Sequence, residues 1–249
     1  MSEADLSWLG TTVVVWAHPD DETYLSGGTA AVLADLGHRV VAVTATRGDA
    51  GGPDTTPAGR AETARIRTTE LEEALALLGV TEHVWLDYED GGCADADPEP
   101  GVRRLASLFD DVRPDTVLTF GPEGFTGHPD HRAVSAWVDE ALARSAAEPR
   151  LLHAVATRQD RVDPELDRDF GVFELGEPRF CEPEELALRH VLDGPTLTRK
   201  VAALQAQASQ TTGLIEAVGL DRFTAWVAVE AYADAPAAPH APARDLPAG

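Results

Sequence analysis

The sequence predicts an α/β fold built on a mostly parallel sheet with helices on both faces. Short apolar runs rich in β-branched residues alternate with longer segments of helical periodicity, and polar turns separate them. This alternation is typical of parallel sheets, because the connection between two parallel strands carries a helix. At 249 residues the chain is long enough to bury the core of one such domain.

The first predicted unit is a strand, a polar turn and a helix. Residues 13–16 read VVVW, an apolar run typical of a strand that is buried on both faces. Residues 18–22 read HPDDE and place one imidazole and three carboxylates in a single turn. The apolar segment after Gly27 and Gly28 is predicted to be a helix that ends at Gly37. Ligands of open α/β sheets bind at the carboxyl ends of the strands, where this turn lies.

The remaining elements follow the same rhythm as far as residue 157. Further strands are predicted at 39–46, 82–86, 116–120 and 151–157, and helices at 60–78, 102–112 and 132–144. The C-terminal third is less regular, with a predicted strand at 186–192, a helix at 198–218 and a last buried element at 223–232. We therefore assign residues 1–232 to one domain, and we predict a disordered tail for the Ala/Pro-rich segment 233–249.

Composition excludes several classes of partner. The formal net charge is −23, from 43 acidic residues against 20 lysines and arginines, so the surface repels nucleic acids and anionic membranes. The two cysteines, Cys93 and Cys181, cannot form a disulfide scaffold or a thiolate metal site. There is no signal-peptide pattern and no apolar run of membrane length. We expect a cytoplasmic protein without membrane insertion, and the sequence leaves a homo-oligomer open.

Two strand-exit turns on the same predicted edge of the sheet combine histidine with aspartate. They contain His18, Asp20 and Asp21 in the first turn and His128, Asp130 and His131 in the second. Imidazole and carboxylate are the usual ligands of catalytic zinc, which keeps three protein ligands and one position for water. The alternative is structural, because Asp20 or Asp21 could cap the first helix and Asp130 the second. The remaining histidines lack an acidic turn and are expected to be structural.

Two other loops leave the same predicted edge. Residues 47–59 are rich in Gly, Asp and Pro and form either a lid over a substrate or an ordinary surface loop. Residues 87–92, DYEDGG, form a second acidic turn after the strand predicted at 82–86. Neither loop carries a motif that decides its role by itself.

The two histidine turns together resemble a known family. AHPDDE at 17–22 paired with GHPDH at 127–131 is similar to the LmbE-like, PIG-L-type family of zinc-dependent N-deacetylases. The resemblance extends from the first strand to about Gln210. It implies a Rossmann-like fold and a small-molecule substrate, an acylated amino sugar. Members of the family remove acetyl from N-acetylglucosaminyl-inositol and related glycoconjugates.

The resemblance implies a role for each residue of the two turns. His18, Asp21 and His131 match the metal ligands, which would hold one Zn²⁺ or another divalent ion such as Fe²⁺. Asp20 matches the general base that takes a proton from the attacking water. His128 matches the group that stabilises the oxyanion or protonates the leaving amine, and we expect it to act as an imidazolium.

The resemblance implies roles for three further residues. Asp130 is expected to orient one of the imidazoles, and Asp90 lies where related sugar deacetylases place an acid toward the glycan. Arg67 belongs to an Arg-x-x-Glu-Leu pattern and is expected to contact the substrate. The alternative for Arg67 is a surface ion pair with Glu62 or Glu70.

The chain departs from the family pattern at two positions. Gln207 stands where the family often has a histidine, in a segment that begins at Lys200. Thr126 stands where some glycoconjugate deacetylases have a tyrosine. Neither change alters the expected metal ligands, so both concern the identity of the substrate.

Two other functions compete with deacetylation at this stage. A glycan-binding module could keep the metal and lack turnover, but the presence of Asp20, the expected base, argues against it. Metal-dependent phosphoester hydrolysis often uses two ions with bridging carboxylates, and the number of ligands around the ion would decide between them.

Overall fold

The computed structural model describes residues 6–236. Its strands are β1 Thr12–Trp16, β2 Val40–Thr46, β3 Glu82–Tyr88, β4 Thr116–Phe120, β5 Arg150–Ala154, β6 Leu188–Val191 and β7 Val229–Asp234. Its α-helices are α1 Asp21–Asp35, α2 Pro57–Leu78, α3 Glu99–Val112, α4 Pro129–Arg144, α5 Pro164–Asp169, α6 Gly194–Ala206, α7 Ala208–Val218 and α8 Leu220–Trp226. Short 3₁₀ helices lie at Ser7–Leu9 and Pro183–Glu185.

All seven strands form one sheet, in the order β3-β2-β1-β4-β5-β7-β6. The first five strands are parallel, and β7 runs antiparallel to both β5 and β6. The predicted mostly parallel sheet is therefore confirmed. The strand order 3-2-1-4-5 is that of a Rossmann-like sheet, and it reverses direction between β1 and β4. The crevice at this reversal lies between the two histidine turns.

Helices cover both faces of the sheet, as predicted. Helices α1, α2 and α6 pack together, and α3 packs against α4. All five residues of β1 are buried, which explains why its sequence is continuously apolar and does not alternate. Trp16 at the end of β1 packs edge-to-face on Phe120 at the end of β4, with ring centroids 4.8 Å apart. This contact fixes the two strand ends that carry the histidine turns.

Several helices, among them α1, α2 and α4, begin earlier than the apolar periodicity predicts, because their first turns are polar. Helix α2 begins at Pro57, where the Thr56 side chain accepts a hydrogen bond from the Gly59 amide. Helix α4 begins at Pro129, so His131 lies in its first turn. Helix α1 begins at Asp21 and therefore carries the acidic residues of its turn.

The glycine pair that was expected to precede α1 lies inside it. A Cβ atom on Gly28 would lie 2.4 Å from a methyl carbon of Leu192, so only glycine allows this approach. The amides of Gly28 and Thr29 donate to the two carboxylate oxygens of Glu230, at 2.7 and 2.8 Å. Strand β7, which carries Glu230, is thereby tied to the middle of the helix that begins at the functional turn.

The predicted helix at 198–218 is wrong in one respect, because it is two helices. The backbone breaks at Gln207, with φ −84° and ψ 49°, between α6 and α7. The predicted buried element at 223–232 is divided between α8 and β7. Strand β7 extends to Asp234, two residues into the segment predicted as a tail, and residues 237–249 of that segment lie outside the described residues. None of the helices between residues 6 and 236 has the length and apolar character that crossing a membrane requires.

Lys200, the single lysine of the sequence, is completely buried beside Glu230. Its Nζ donates to Glu230 Oε1 and to the Tyr24 carbonyl, both at 2.8 Å. Burial lowers the pKa of Lys200, although the negative charge of Glu230 opposes that change. The pair joins α6 to β7 and α1 in the interior of the protein.

We expect Lys200→Met to destabilise the protein by about 3 kcal/mol, because it leaves the Glu230 carboxylate buried without its counter-charge. The double variant Lys200→Met/Glu230→Gln should recover part of this loss, since the buried charge is then removed. Urea unfolding of the two variants and the parent measures both effects. A single variant that loses less than about 1 kcal/mol would contradict the importance of the pair.

Candidate metal centre and active site

The exit turns of β1, β3 and β4 meet at the carboxyl edge of the sheet and form one cluster of histidine and aspartate side chains. Its buried members are His18, Asp21, Asp90, Asp130 and His131, and His128 is half-buried. The sequence predicted all six as site residues. The structure brings them together from three separate turns, and Asp20 and Arg67 lie beside them.

Three side-chain atoms of this cluster form a nearly equilateral triangle. His18 Nδ1 lies 3.2 Å from His131 Nε2 and 3.6 Å from Asp21 Oδ2. His131 Nε2 lies 3.5 Å from the same Asp21 oxygen. These are the three residues expected to be metal ligands.

The nitrogen of each imidazole that points away from the triangle has an acceptor, so in the neutral ring the nitrogen in the triangle carries the lone pair. His18 Nε2 lies 3.1 Å from Asp90 and 3.2 Å from Asp130, which favours the proton on Nε2. His131 Nδ1 lies 2.9 Å from the Gly124 carbonyl, which favours the proton on Nδ1. The two lone pairs and the Asp21 carboxylate oxygen then face one another, an arrangement that requires a cation or a shared proton between them.

The triangle fits a tetrahedral metal ion. Bonds of about 2.1 Å at tetrahedral angles separate neighbouring ligand atoms by about 3.4 Å, and the three distances of the triangle are 3.2, 3.5 and 3.6 Å. The fourth position would open toward a cavity that Asp20, Asp21 and His131 line at one end. His18, Asp21 and His131 could therefore hold a divalent ion and leave room for water.

The charges of the cluster follow from the same contacts. Burial lowers the pKa of His18, but hydrogen bonds to Asp130, Asp21 and Asp90 outweigh burial and raise it well above its usual value. Burial raises the pKa of Asp21, but the neighbouring His131 and His18 reverse this and hold it well below its usual range. The carboxylates are thus ionised, and the cluster attracts positive charge.

Asp130 is positioned to orient His18 and is fully buried. Its Oδ2 accepts from the Gly91 amide at 2.7 Å, and its Oδ1 accepts from the Cys93 amide at 3.1 Å. Besides His18 with His128 and His131, the side chains of His18, Asp90 and Asp130 form a second group whose possible ligand atoms lie within 4.8 Å of one another. Because both Asp130 oxygens already accept from backbone amides, these atoms are better explained as an orienting shell for His18 than as a second metal site.

His128 occupies the N-cap position of α4 rather than a helical position. Its Nδ1 accepts from the Asp130 amide at 3.2 Å, so its proton lies on Nε2 when the ring is neutral. The ring packs against His18, with centroids 4.8 Å apart. Burial and the positive charge of His18 lower the pKa of His128, which favours the neutral imidazole over the imidazolium that we expected.

Asp20 has a strained backbone, with φ 120° and ψ −32°. It stands at the N-cap of α1, but its side chain makes no capping hydrogen bond, so the structural alternative for this residue is not observed. The carboxylate faces the cavity. Burial, opposed by Arg67 and reinforced by Asp21, raises the pKa of Asp20 to about 7. A strained residue whose buried carboxylate has a strongly raised pKa is typical of a functional position.

Arg67 lies behind Asp20 and is only 5% exposed. Its guanidinium donates to the Pro19 carbonyl, to the Gly48 carbonyl at 3.0 Å and to Asp20 Oδ2 at 3.3 Å. The surface ion pair proposed as the alternative is not formed, because Arg67 is buried in these contacts. The guanidinium supports the strained Asp20 turn, and its contact with a substrate stays a prediction.

Comparison with known proteins identifies the family. The family described as GlcNAc-PI de-N-acetylase (PIG-L) matches residues 13–142. A 1D-myo-inositol 2-acetamido-2-deoxy-alpha-D-glucopyranoside deacetylase of Acidothermus cellulolyticus is 33% identical over 229 residues, which cover 80% of this chain and 78% of the relative. The chain belongs to the PIG-L family. The resemblance noted in the two histidine turns is thereby confirmed.

A second relative and a solved structure extend the comparison. A probable N-acetyl-alpha-D-glucosaminyl L-malate deacetylase 2 of Bacillus cereus is 31% identical over 208 residues, which cover 82% of this chain and 85% of the relative. The N,N'-diacetylchitobiose deacetylase of Pyrococcus horikoshii superposes with a TM-score of 0.63 at 23% identity, over 91% of this chain and 84% of that one. This structural likeness shows the fold.

The two departures from the PIG-L pattern lie beside the cluster. Thr126 Oγ1 is 3.3 Å from His131 Nδ1, and Thr126 also lines the cavity. Gln207 is buried at the break between α6 and α7, where its Nε2 donates to Glu22 Oε1 at 2.7 Å. Glu22 in turn accepts from the Asp20 amide at 3.1 Å, so Gln207 supports the functional turn from behind.

Sequence reasoning missed Glu22 and the amides of Gly91 and Cys93. The signal for Glu22 was its place in the HPDDE turn, but its partner Gln207 is 185 residues away. The contacts of the backbone amides with Asp130 could not be predicted, because they do not depend on the side chains of Gly91 and Cys93. The predicted loop at 47–59 contacts the residues that orient His18, because the Ala50 amide donates to Asp90 Oδ2 at 2.8 Å. Whether that loop acts as a lid stays a prediction.

The backbone strain at Asp20 predicts that two substitutions of this residue differ in their effect on stability. Asp20→Gly and Asp20→Ala both remove the carboxylate, but only alanine keeps a Cβ atom at φ 120°. We expect the glycine variant to be more stable than the alanine variant by about 1 kcal/mol. Urea unfolding measures the difference, and equal stabilities would show that the backbone relaxes without strain.

Proposed function

We propose that this PIG-L family protein is a metal-dependent deacetylase that hydrolyses the N-acetyl group of an amino-sugar conjugate. The observation that carries the proposal is the convergence of His18 Nδ1, Asp21 Oδ2 and His131 Nε2 at the end of a cavity. The relatives are named as deacetylases of N-acetylglucosaminyl conjugates with inositol or malate, and this chain is proposed to act on the same class of amide.

His18, Asp21 and His131 would hold the ion, and Zn²⁺ is the ion that we propose. When bound, a divalent ion of this kind lowers the pKa of a coordinated water toward 7 and polarises the scissile carbonyl. Asp130 would keep His18 in the tautomer that offers Nδ1, since its carboxylate accepts from Nε2. Asp90 would support the same tautomer and would lie toward the sugar.

Asp20 and His128 would act on the reacting groups. Asp20 would accept the proton of the attacking water, because its carboxylate faces the cavity and makes no capping bond. His128 would stabilise the oxyanion by donating a hydrogen bond from Nε2 to the amide oxygen as negative charge develops there, and the proton that Asp20 takes from the water would pass to the leaving amine. The neutral imidazole of His128 is sufficient for this hydrogen bond, so His128 does not have to be protonated to the imidazolium. Arg67 would hold the Asp20 turn in place.

Activity on model substrates tests the proposal as a whole. We expect the metal-loaded protein to release acetate and free amine in equal amounts from simple N-acetylglucosamine conjugates. Acetate release by enzymatic assay and amine release by fluorescamine derivatisation measure the two products. Binding of the conjugates without release of either product would favour the glycan-binding alternative. Release of phosphate from phosphoester analogues without deacetylation would favour the phosphoesterase alternative.

We expect His131→Ala to abolish stoichiometric metal binding and activity, because it removes one of three ligands. His38→Ala is the matched control, since His38 follows α1 and lies outside the cluster. Metal content after equilibration with Zn²⁺ measures the effect. A His131→Ala variant that binds one ion as tightly as the parent would contradict the proposed ligands.

We expect Asp20→Asn and His128→Ala to retain the metal but to lose turnover, by roughly 10²- to 10⁴-fold in kcat. Both residues are proposed to act on the reacting groups without ligating the ion. Metal content and kcat, measured on the same preparations, separate loss of chemistry from loss of the site. Normal turnover in the Asp20→Asn protein would overturn the assignment of the base.

A further inference from the structure

The cavity at the metal cluster is much larger than an acetyl group requires. Its volume is about 600 Å³, a size typical of sites for drug-sized ligands. From Asp20, Asp21 and His131 it extends between the segment 155–180 and the helices α7 and α8. The acetyl group and the scissile amide of a substrate would occupy only its inner end, next to the cluster.

The walls beyond the cluster are mainly aromatic and aliphatic. They include Phe125, Val155, Phe173, Phe180, Trp226 and Val229. Phe170 also lines the cavity and is 45% exposed, so part of this apolar surface is open to solvent. An apolar ligand group would cover this surface and would gain free energy in proportion to the apolar area removed from water.

The charged side chains along the same walls already have partners within the protein. Arg161 donates to Asp167 at 2.6 Å. Asp167 also accepts from the Trp226 indole nitrogen at 3.0 Å. Asp160 accepts from Arg189 Nε at 2.8 Å. Each of these charged groups thus already takes part in a hydrogen bond within the protein, whereas a polyol hydroxyl left unpaired against the apolar walls would cost about 1–3 kcal/mol.

We propose that the substrate carries, besides its acylated amino sugar, a large apolar alkyl or aryl group that binds in this cavity. The inference rests on the proposed deacetylase function and names the class of substrate. The apolar group is either the aglycone of the sugar or a long N-acyl chain, because both would present the same surface to the same walls. The aromatic and aliphatic walls favour such a group over a polyol.

Two substrate series distinguish the sources of the apolar group. The first compares methyl with hexyl N-acetylglucosaminide, and the second compares N-acetyl with N-octanoyl glucosamine. We expect kcat/KM to rise at least tenfold in one of the two series. A rise in the first series identifies the aglycone, and a rise in the second identifies the acyl chain. Equal or falling values in both series, from an enzyme that hydrolyses the methyl glycoside, would overturn the inference.

A variant in the wall and a matched control locate the effect. Phe173→Ser should reduce the preference for the longer substrate at least threefold, because it removes an aromatic ring from the wall. Leu36→Ser, at an exposed apolar residue outside the cavity, should leave the preference unchanged. An unchanged preference in Phe173→Ser would place the apolar group elsewhere and contradict the inference.

Binding of the products separates this inference from the deacetylase proposal. Calorimetry compares hexyl with methyl glucosaminide, and octanoate with acetate, on the metal-loaded protein without any need for turnover. At least one longer product should bind tenfold more tightly than its short counterpart. If the protein hydrolyses no N-acyl substrate but keeps this preference, the deacetylase proposal fails and the apolar site stands. If the long and the short product of each pair bind equally tightly, the inference of an apolar binding site is wrong, whether or not the protein is a deacetylase.

Discussion

Two imidazole nitrogens and a carboxylate oxygen that face one another within 3.6 Å are the constraint on which the site depends. Such an arrangement repels itself unless positive charge lies between its atoms. It persists because the outer side of each ring is fixed, His18 by Asp130 and Asp90 and His131 by the Gly124 carbonyl. Asp130 is held in turn by two backbone amides. Hydrogen bonds within the protein, which begin at the backbone amides, therefore hold these side chains in place without a bound ion.

The topology of the sheet explains why these atoms meet. Strands β1 and β4 are neighbours although 99 residues separate the end of the first from the start of the second. The strand order reverses between them, so the turns that follow them face one crevice. Strand β3 lies further along the same edge and sends its exit turn to Asp130. A parallel sheet thus brings residues that are distant in sequence to one edge without any long connection.

Much of this arrangement could be predicted from the sequence, and the remainder has physical reasons. The HPDDE and HPDH turns showed both the chemistry and its place, because their residue types are rare after a buried strand. Element boundaries were less predictable where polar caps such as Thr56 begin a helix. The break at Gln207 could not be predicted, because its partner Glu22 comes from the other end of the chain. The apolar cavity was equally hidden, since its walls come from irregular segments and separate helices.

The burial of Lys200 has a consequence for how this protein can be studied. As the single lysine, sealed between α1, α6 and β7, it is the only side-chain primary amine of the chain, and the native fold hides it from reagents. Acylation of its ε-amine requires the interior to open, so the rate of labelling reports transient unfolding of the region that joins these three elements. Mass spectrometry of one tryptic or chymotryptic peptide could then follow that opening under native conditions, without denaturant and without an engineered probe.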